Sequence, residues 1–424
     1  MSTAKKQADA SIRLSQCMIV KNEEKNIERA LSWAKGVAFE QIVVDTGSTD
    51  RTVEIAERMG ARIFHFKWAD DFSAAKNYAI DQASGDWIAF LDADEYMSAE
   101  HARLIIPLIE RAVNIYGNKA AALDSKLANL RTDGKIIQIE RQQRIFINHP
   151  EVRYERPIHE MLKFPAGTGP VTENDLLIMH TGYAYSVYLD TGKRERNIAL
   201  LKRILKSNIE DIESKGYLAE SFYASGNIEE ALPLYREVLN ETASKKSDYA
   251  RFRAKAFYHL ISALMKSTGT CAESYTLAEQ AFNEFPDYLN FCYLYGITLY
   301  KQEQFESALD AFKKAEKLAL YGKIENQRFD NIEALCIYTA QTHVKLGNLN
   351  EALHYAASYL QSHNKYHYGM LKLCVQMLRS NENPENTANF LSKIYDFKSS
   401  HDRKLLLRCA KDTGDIALGG YLLK

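Results

Sequence analysis

The sequence predicts an α/β domain with a mostly parallel sheet, followed by an all-α helical solenoid. Three observations support this prediction: short apolar runs alternate with helical patterns from residue 14 to 113, a β-rich pattern follows from 121 to 188, and a turn-plus-helix phrase recurs after residue 216. A typical domain has roughly 100 to 200 residues. The 424 residues of this chain therefore exceed one domain.

The composition is that of a globular protein. Hydrophobic residues make up 46% and charged residues 26%, which argues against disorder or a fibrous chain. The formal net charge of -1 gives no overall basic field, so no nucleic-acid partner is expected. The longest strongly apolar run, residues 104–109, is far shorter than the roughly 20 residues that span a bilayer, so no membrane span is expected. Residues 1–10 lack the apolar segment of a secretory signal, and the six cysteines lack metal-ligand spacing, which predicts a cytoplasmic protein with reduced thiols.

The first domain is predicted over residues 12–190. Four apolar runs have the length and continuous apolar character of strands buried on both faces: residues 14–20, 41–45, 61–66 and 87–91. Apolar residues from Ile27 to Ala34 follow the spacing of one helical face, and Gly60 is placed to end a second helix. Strands and helices that alternate in this way predict a parallel sheet with helices on both sides.

The chain changes character twice after residue 120. Residues 121–188 contain Asp133-Gly134 between two strand-like runs, which predicts a hairpin turn inside a β-rich annex over the sheet edge. Residues 191–215 predict a connecting helix, and residues 216–424 a helical repeat domain.

The repeat domain contains three copies of one phrase, which begin at Ser225, Lys301 and Leu346. Aligning Ala231, Ser274, Ala308 and Ala352 gives steps of 43, 34 and 44 residues. This pattern resembles tetratricopeptide repeats, whose period is about 34. Such solenoids commonly bind extended polypeptide, so a peptide or protein partner is expected, and an end-capped solenoid also allows a homodimer through the helical domain.

The strongest chemical signal is the strand at 87–91 that runs into Asp92 and Asp94. Positions i and i+2 place both carboxylates on one side at the carboxyl end of the strand, where open α/β sheets bind ligands. Two carboxylates suit a hard divalent cation that bridges a diphosphate. The sequence therefore predicts Mn²⁺ or Mg²⁺ at this Asp-x-Asp motif.

Four motifs in this order resemble family 2 inverting glycosyltransferases with the GT-A fold: Val20 to Glu24, Val43 to Asp50, Asp71 to Ala79 and Asp92 to Asp94. The resemblance continues downstream through Arg144 to Pro150, Pro157 to Glu160 and His180 to Tyr183, and covers about residues 12 to 200. Together with the repeats, it is similar to a bacterial branch that includes peptide S-glycosyltransferases and flagellin O-glycosyltransferases.

The resemblance implies a role for each matched residue. Asn22, Glu23 and Asp45 are expected to line the uridine pocket of a UDP-sugar donor, and Lys76 and Asn77 to approach the nucleotide. The expected metal ligands, which face the diphosphate, are Asp92, Asp94 and His180. Two alternatives stay open: Asp45 can instead cap the helix after Gly47, and His180 can be purely structural.

Inverting transfer needs a base that takes the proton of the acceptor. The candidates are Glu160, His159 and Glu95. Because adjacent side chains on an extended strand point to opposite sides, at most one of His159 and Glu160 faces the sugar. Arg156 departs from the family pattern, in which a small residue precedes this motif.

The leading hypothesis is a metal-dependent enzyme that moves a hexose or N-acetylhexosamine from a UDP-sugar to a Ser, Thr or Cys side chain of a peptide or protein, with inversion. One alternative is a saccharide or lipid-linked saccharide acceptor. Another is an inactive transferase domain that serves as an interaction scaffold. The sequence leaves the sugar, the acceptor residue and the oligomeric state open.

Overall fold

The computed structural model describes residues 12–172, 174–181, 191–267, 272–321 and 332–423. The chain divides into two compact units, residues 1–221 and 222–424. The predicted N-terminal segment 1–10, the end of the predicted annex after residue 181, and Cys271 lie outside the described residues.

The first unit contains all the strands that the structure describes. In chain order they are β1 (Leu14–Val20), β2 (Glu40–Asp45), β3 (Arg62–His65), β4 (Trp87–Phe90), β5 (Glu95–Tyr96), β6 (Ala120–Leu130), β7 (Ile136–Ile147), β8 (Arg153–Glu155), β9 (Met161–Lys163), β10 (Gly169–Val171) and β11 (Leu177–His180). The four strands predicted at the start of the chain are confirmed as β1 to β4, with ends that shift by at most one residue.

The main sheet has the order β3-β2-β1-β4-β7-β6-β11-β5, and β10 pairs with β6 as the ninth strand within the described residues. Strands β1 to β4 run parallel, β7 is antiparallel to β4, and β11 is parallel to β6. The carboxyl ends of β1, β2 and β4 therefore meet at one edge, where open α/β sheets bind ligands.

The predicted annex does not form a separate layer over the sheet edge. Its long strands β6 and β7 extend the main sheet itself, because β7 pairs directly with β4. Ile145 and Phe146 on β7 are fully buried and continue the two faces of the core. The hairpin turn is present: Gly134 has a φ of 80° and its N–H donates to Arg131 O at 2.9 Å.

Helices cover both faces of the sheet. In chain order, the helices of this part of the chain are α1 (Ile27–Ser32), α2 (Thr52–Arg58), α3 (Phe72–Asp81), α4 (Ala99–Tyr116), α5 (Thr191–Ser207) and α6 (Ile212–Ala224). Met18 of β1 packs with α1 and α2 on one face of the sheet. The preceding residue, Cys17, packs with α3 on the other face. The region predicted as one connecting helix is interrupted after Ser207, and Asp211 starts α6 by accepting from Ser214 N at 3.1 Å.

The second unit is a helical solenoid. After α6, its helices are α7 (Ile228–Glu241), α8 (Ala250–Ser267), α9 (Ala272–Glu284), α10 (Leu289–Lys301), α11 (Phe305–Tyr321), α12 (Ile332–Lys345), α13 (Leu349–Ser362), α14 (Tyr368–Asn381), α15 (Pro384–Leu391), α16 (Ser400–Thr413) and α17 (Ile416–Leu423). The four residues aligned in the sequence fall on alternate helices, α7, α9, α11 and α13, and all four are fully buried: Ala231, Ser274, Ala308 and Ala352. Small residues at these positions allow the helices of each pair to approach closely.

Among the helices that the structure describes, none combines the length and the apolar character that crossing a lipid bilayer requires.

Candidate active site

The loops after β1 and β2 are joined by side chain to backbone hydrogen bonds. Asn22 has a φ of 58°, and its Oδ1 accepts from Thr49 N at 2.8 Å while its own N–H donates to Ser48 Oγ at 2.9 Å. Glu23 N donates to Thr52 Oγ1 at 2.7 Å. These bonds fix one wall of the crevice at the carboxyl ends of β1 and β2.

Asp45 lies at the end of β2 and is 5% exposed. Its carboxylate accepts from Gly47 N at 3.1 Å and from Ser48 N at 3.0 Å. The side chain therefore organises the tight turn after the strand. The same carboxylate lies 3.6 Å from Nδ1 of His65, at the mouth of the crevice.

Asp92 lies between two cations. Its Oδ1 is 3.3 Å from Lys76 Nζ and its Oδ2 is 2.9 Å from Arg144 Nη2. Burial opposes ionisation of this carboxyl, but Lys76 and Arg144 hold the pKa of Asp92 well below its usual range. Asp92 is consequently ionised, and its negative charge is balanced by Lys76 and Arg144.

Lys76 is 2% exposed and joins two carboxylates, since its Nζ also lies 2.7 Å from Glu160 Oε1. The ammonium group stands over the rings of Phe90 and Tyr154, at 5.3 and 5.1 Å from their centroids. Burial favours loss of the proton, but Asp92 and Glu160 raise the pKa of Lys76. The lysine therefore stays charged and connects the strand that bears Asp92 with the loop that bears Glu160.

Asn77, the neighbour of Lys76, uses both ends of its amide within the domain. Its Nδ2 donates to Tyr154 O and its Oδ1 accepts from Tyr154 N, both at 2.9 Å. This pair of bonds anchors α3 to β8. The contacts of Asn77 are thus with the backbone of Tyr154 rather than with the crevice.

Glu95 is 1% exposed. Its Oε1 lies 2.5 Å from Arg144 Nη2, and its Oε2 accepts from Asp92 N at 3.1 Å. Burial raises the pKa of Glu95, against the lowering effect of Arg144. The structure places Glu95 beneath the Asp-x-Asp turn, where it fixes the turn and holds Arg144.

Asp94 and His180 come together because β11 ends beside β5 and β6. His180 is paired with Glu95 on one side and with Asn129 on the other. His180 Nδ1 lies 2.7 Å from Asn129 Oδ1, and Nε2 lies 3.4 Å from Asp94 Oδ2. Thr181 continues this contact, since its N–H and its hydroxyl each donate to Asp94 O at 3.0 Å.

His159 and Glu160 point in different directions, although residues 156–160 form a bend and not the extended strand expected from the sequence. Glu160 reaches Lys76, whereas the ring of His159 stacks on Tyr217 with centroids 3.7 Å apart and planes within 6°. His159 has a φ of 54° and Arg156 a φ of 82°, values that cost non-glycine residues about 1 to 3 kcal/mol each.

Comparison with known proteins identifies the first domain. Residues 15–155 match the family model described as Glycosyl transferase family 2, a range that begins in β1 and ends with β8. The first domain is a family 2 glycosyltransferase domain. In this chain it is fused to tetratricopeptide-like repeats.

Two curated relatives each match somewhat more than half of this chain. A TPR repeat-containing protein of Synechococcus elongatus is 31% identical over 265 residues, which cover 59% of this chain and 61% of that protein. The SPbeta prophage-derived glycosyltransferase SunS of Bacillus subtilis is 26% identical over 262 residues, which cover 58% of this chain and 56% of SunS. The chain thus matches less than two thirds of the length of either relative.

Two solved structures match this chain with TM-scores below 0.5. YrrB, described as a TPR protein with an unusual peptide-binding site, matches 50% of this chain and 97% of its own, with 21% identity and a TM-score of 0.39. A glucosyl-3-phosphoglycerate synthase from Mycobacterium tuberculosis, in complex with Mn²⁺, UDP-glucose and phosphoglyceric acid, matches 29% of this chain and 45% of its own, with 21% identity and a TM-score of 0.23.

In the glycosyltransferase domain, the pair Asp94 and His180 is better suited to bind a divalent cation than Asp92 is. Among the described residues, no three His, Cys, Asp or Glu side chains converge closely enough to form a complete metal site by themselves. Asp94 and His180 fit best, because Asn129 accepts from Nδ1 and so orients Nε2 toward the carboxylate, as in many metal-binding histidines. Asp92 fits less well, since Lys76 and Arg144 occupy its two oxygens.

Three residues of the glycosyltransferase domain received no role from the sequence. Arg144 balances Asp92 and Glu95, Asn129 orients His180, and Arg156 binds the start of α6. Arg144 left a signal, since it begins a matched motif and a buried group of carboxylates requires cations. Arg156 left one as a departure from the family pattern. Asn129 lies near the start of the annex, and its place beside His180 depends on the register of β6 and β11.

Proposed function

We propose that the protein is a metal-dependent inverting glycosyltransferase that moves a hexose or N-acetylhexosamine from a UDP-sugar to a Ser, Thr or Cys side chain of a peptide or protein. The observation that supports this most strongly is the pairing of Asp94 with His180 at the carboxyl edge of a family 2 glycosyltransferase domain. A peptide acceptor is favoured by the tetratricopeptide-like repeats, which commonly bind polypeptide.

In this proposal, Asp94 and His180 would hold Mn²⁺ or Mg²⁺. The cation supplies charge neutralisation for the departing UDP. Asn22 and Asp45 form the wall against which the uridine lies, and Glu23 stands behind it. Lys76 and Arg144 keep Asp92 anionic, so that its carboxylate can orient the ribose or the sugar hydroxyls by accepting hydrogen bonds.

The transfer itself is a single displacement at the anomeric carbon. The oxygen or sulfur of the acceptor forms the new bond while the bond between the anomeric carbon and the diphosphate oxygen breaks, and UDP leaves with the electron pair. The acceptor proton goes to the carboxylate of Glu160. His159 is the second candidate, although its ring lies against Tyr217.

The first test measures donor binding with the full chain. UDP with Mn²⁺ should raise the melting temperature by mass action, and EDTA should remove most of that shift. Slow release of UDP from a UDP-sugar without acceptor should accompany it. An unchanged melting temperature at millimolar UDP and Mn²⁺ would favour the scaffold alternative.

The second test identifies the acceptor. Mass spectrometry of peptides that contain Ser, Thr or Cys, incubated with a panel of UDP-sugars, should show addition of one hexose or N-acetylhexosamine. Transfer to saccharide acceptors with no transfer to any peptide would contradict the peptide assignment and favour the saccharide alternative.

A further inference from the structure

The loop of residues 156–160 is held in a conformation that its own residues disfavour. Arg156 and His159 both have positive φ, at 82° and 54°, and neither is glycine. Such a backbone persists where contacts from outside the loop determine it. Those contacts come from the starts of two helices, α3 and α6.

The contact with α6 is made by the guanidinium of Arg156. Its Nη1 donates to Glu213 Oε2 at 2.7 Å, and its Nη2 donates to Asp211 Oδ2 at 3.0 Å and to Ser214 Oγ at 2.9 Å. The three charged side chains are only 16 to 28% exposed. One arginine therefore bridges two carboxylates and a hydroxyl in the first turn of α6, and Asp211 is itself the residue that starts this helix.

The contact with α3 is made by the backbone of the same loop. Arg156 O accepts from Ser73 Oγ at 2.5 Å, and Pro157 O accepts from Phe72 N at 2.8 Å. Lys76 follows in the same helix. Lys76 forms an ion pair with Glu160, the last residue of the loop, so the loop lies along one side of α3.

A second contact with α6 precedes Glu160 directly. The His159 ring lies flat on Tyr217, which is 6% exposed. Arg156 and His159 are thus both fixed to α6, on either side of Pro157 and Ile158. The position of the Glu160 carboxylate over Lys76 depends on these anchors, because a loop with two disfavoured residues would otherwise relax.

We propose that Arg156 is a positioning residue for sugar transfer: by binding Asp211, Glu213 and Ser214 it holds the 156–160 loop so that Glu160 faces the acceptor. This inference rests on the proposed function, in which Glu160 takes the acceptor proton. Arg156 does not touch the nucleotide in this account. Its loss should lower kcat and leave donor binding intact.

The experiment compares Arg156→Ala and Arg156→Lys with Arg153→Ala. Arg153 is a matched control, because it lies three residues earlier and binds Asp81 at 2.9 Å and the backbone oxygens of His149 and Val152. We expect Arg156→Ala to lower kcat about 10- to 100-fold, since displacement of a reacting group by about 1 Å can cost that much. Arg156→Lys keeps the positive charge but lacks the planar guanidinium group with its several donors. This variant should therefore recover part of kcat.

Two further measurements separate positioning from loss of structure. The Kd for UDP with Mn²⁺ should be unchanged in all three variants. Amide hydrogen exchange of residues 158–161 should become faster in Arg156→Ala and stay unchanged in Arg153→Ala. The positioning role would be overturned if kcat and UDP affinity fell in parallel in Arg156→Ala. It would also be overturned if Arg156→Ala and Arg153→Ala had the same kcat and the same exchange pattern.

The same experiment distinguishes the two proposals. A wild-type protein that neither binds UDP nor releases it from any UDP-sugar would overturn the proposed function, and with it the catalytic meaning of the Arg156 contacts. An active wild type with an unaffected Arg156→Ala variant would overturn the positioning role alone.

Discussion

His180 Nε2 lies 3.4 Å from Asp94 Oδ2, while Asn129 Oδ1 holds the other ring nitrogen at 2.7 Å. The two residues are 86 positions apart in the chain, and only the pairing of β11 between β5 and β6 brings them together. A histidine oriented in this way can offer Nε2 to a cation that the carboxylate also binds.

Replacement of His180 by Ala should therefore weaken the contribution of Mn²⁺ to UDP binding. We expect the Kd for UDP in Mn²⁺ to rise at least about tenfold, as for losses at metal-site residues, and Asp94→Asn to act in the same direction. Titration calorimetry with UDP, in Mn²⁺ and in EDTA, measures the difference. Asp86→Asn, which alters an exposed aspartate paired with Arg13, is the control and should behave as wild type. An equal Mn²⁺ effect in wild type and His180→Ala would exclude His180 as a ligand.

Asp45 combines a structural and a proposed binding role, and two substitutions separate them. Asp45→Ala leaves the N–H groups of Gly47 and Ser48 without their acceptor and should cost about 1 to 2 kcal/mol of stability. Asp45→Asn keeps one acceptor oxygen and should cost less. Both variants should lose UDP affinity if the carboxylate binds the uridine. Urea denaturation and UDP titration measure the two effects, and full UDP affinity in a folded Asp45→Asn would leave only the structural role.

Gly296 allows α10 and α11 to pack closely. A Cβ at this position would lie 2.5 Å from the ring of Phe312, which is fully buried. Gly296→Ala should therefore destabilise the solenoid by about 1 to 3 kcal/mol, the usual effect of overpacking. Urea denaturation measures it.

Two variants test that explanation. Gly420→Ala is the matched control, because no atom lies within 4 Å of the added Cβ. Phe312→Leu should relieve part of the effect of Gly296→Ala when both are combined, as expected for residues in contact. Simple addition of the two single effects would show that the ring of Phe312 is not the obstacle.

The stability of the solenoid should depend on pH through His259. This residue lies between Tyr223 and Tyr235, with ring centroids 3.9 and 5.2 Å away, and burial followed by the nearby Lys255 lowers its pKa from 6.5 to about 4. The unfolded chain thus binds the proton more tightly than the folded chain. The contribution of neutral His259 to the stability of the solenoid is fully present above about pH 6.5 and is lost as the pH drops toward 4.

Replacement by Phe should remove this part of the pH dependence. Between pH 7.5 and 4.5 the wild type should lose about 1 to 3 kcal/mol more than His259→Phe. Urea denaturation at a series of pH values measures the loss. His354→Gln, at an exposed position of α13, should keep the wild-type slope. The same slope in His259→Phe and wild type would assign the effect to other groups.

The local pattern was sufficient for the strands and for the repeat. The apolar runs at 14–20, 41–45 and 87–91 became the mostly buried strands β1, β2 and β4, as continuous apolar character predicts. The run at 61–66 became β3, which lies at the edge of the sheet and has only exposed or half-buried residues, so the predicted burial on both faces is wrong for this strand. The aligned Ala231, Ser274, Ala308 and Ala352 became the buried positions of alternate helices. The annex was placed wrongly, because a hairpin pattern does not reveal which neighbour its strands will pair with, and β7 pairs with β4.

For the candidate site, the sequence indicated the residues but not their partners. The Asp-x-Asp motif at the end of β4 follows from one local segment. Lys76 and Arg144 bind Asp92, Arg144 also binds the buried Glu95, and Lys76 binds Glu160. These contacts join residues that are 16 to 84 positions apart in the chain. Asn77 was expected to approach the nucleotide, and its amide instead pairs with the backbone of Tyr154.

The sequence by itself determined the family of the first domain, the alternation of strands and helices, and the repeat of the second part, because each is expressed in residues that are close in the chain. The tertiary structure decided which carboxylates are neutralised, which histidine faces Asp94, and how Arg156 reaches α6. Charge balance and side-chain orientation arise from strand register and helix packing, and these are set by the whole fold at once.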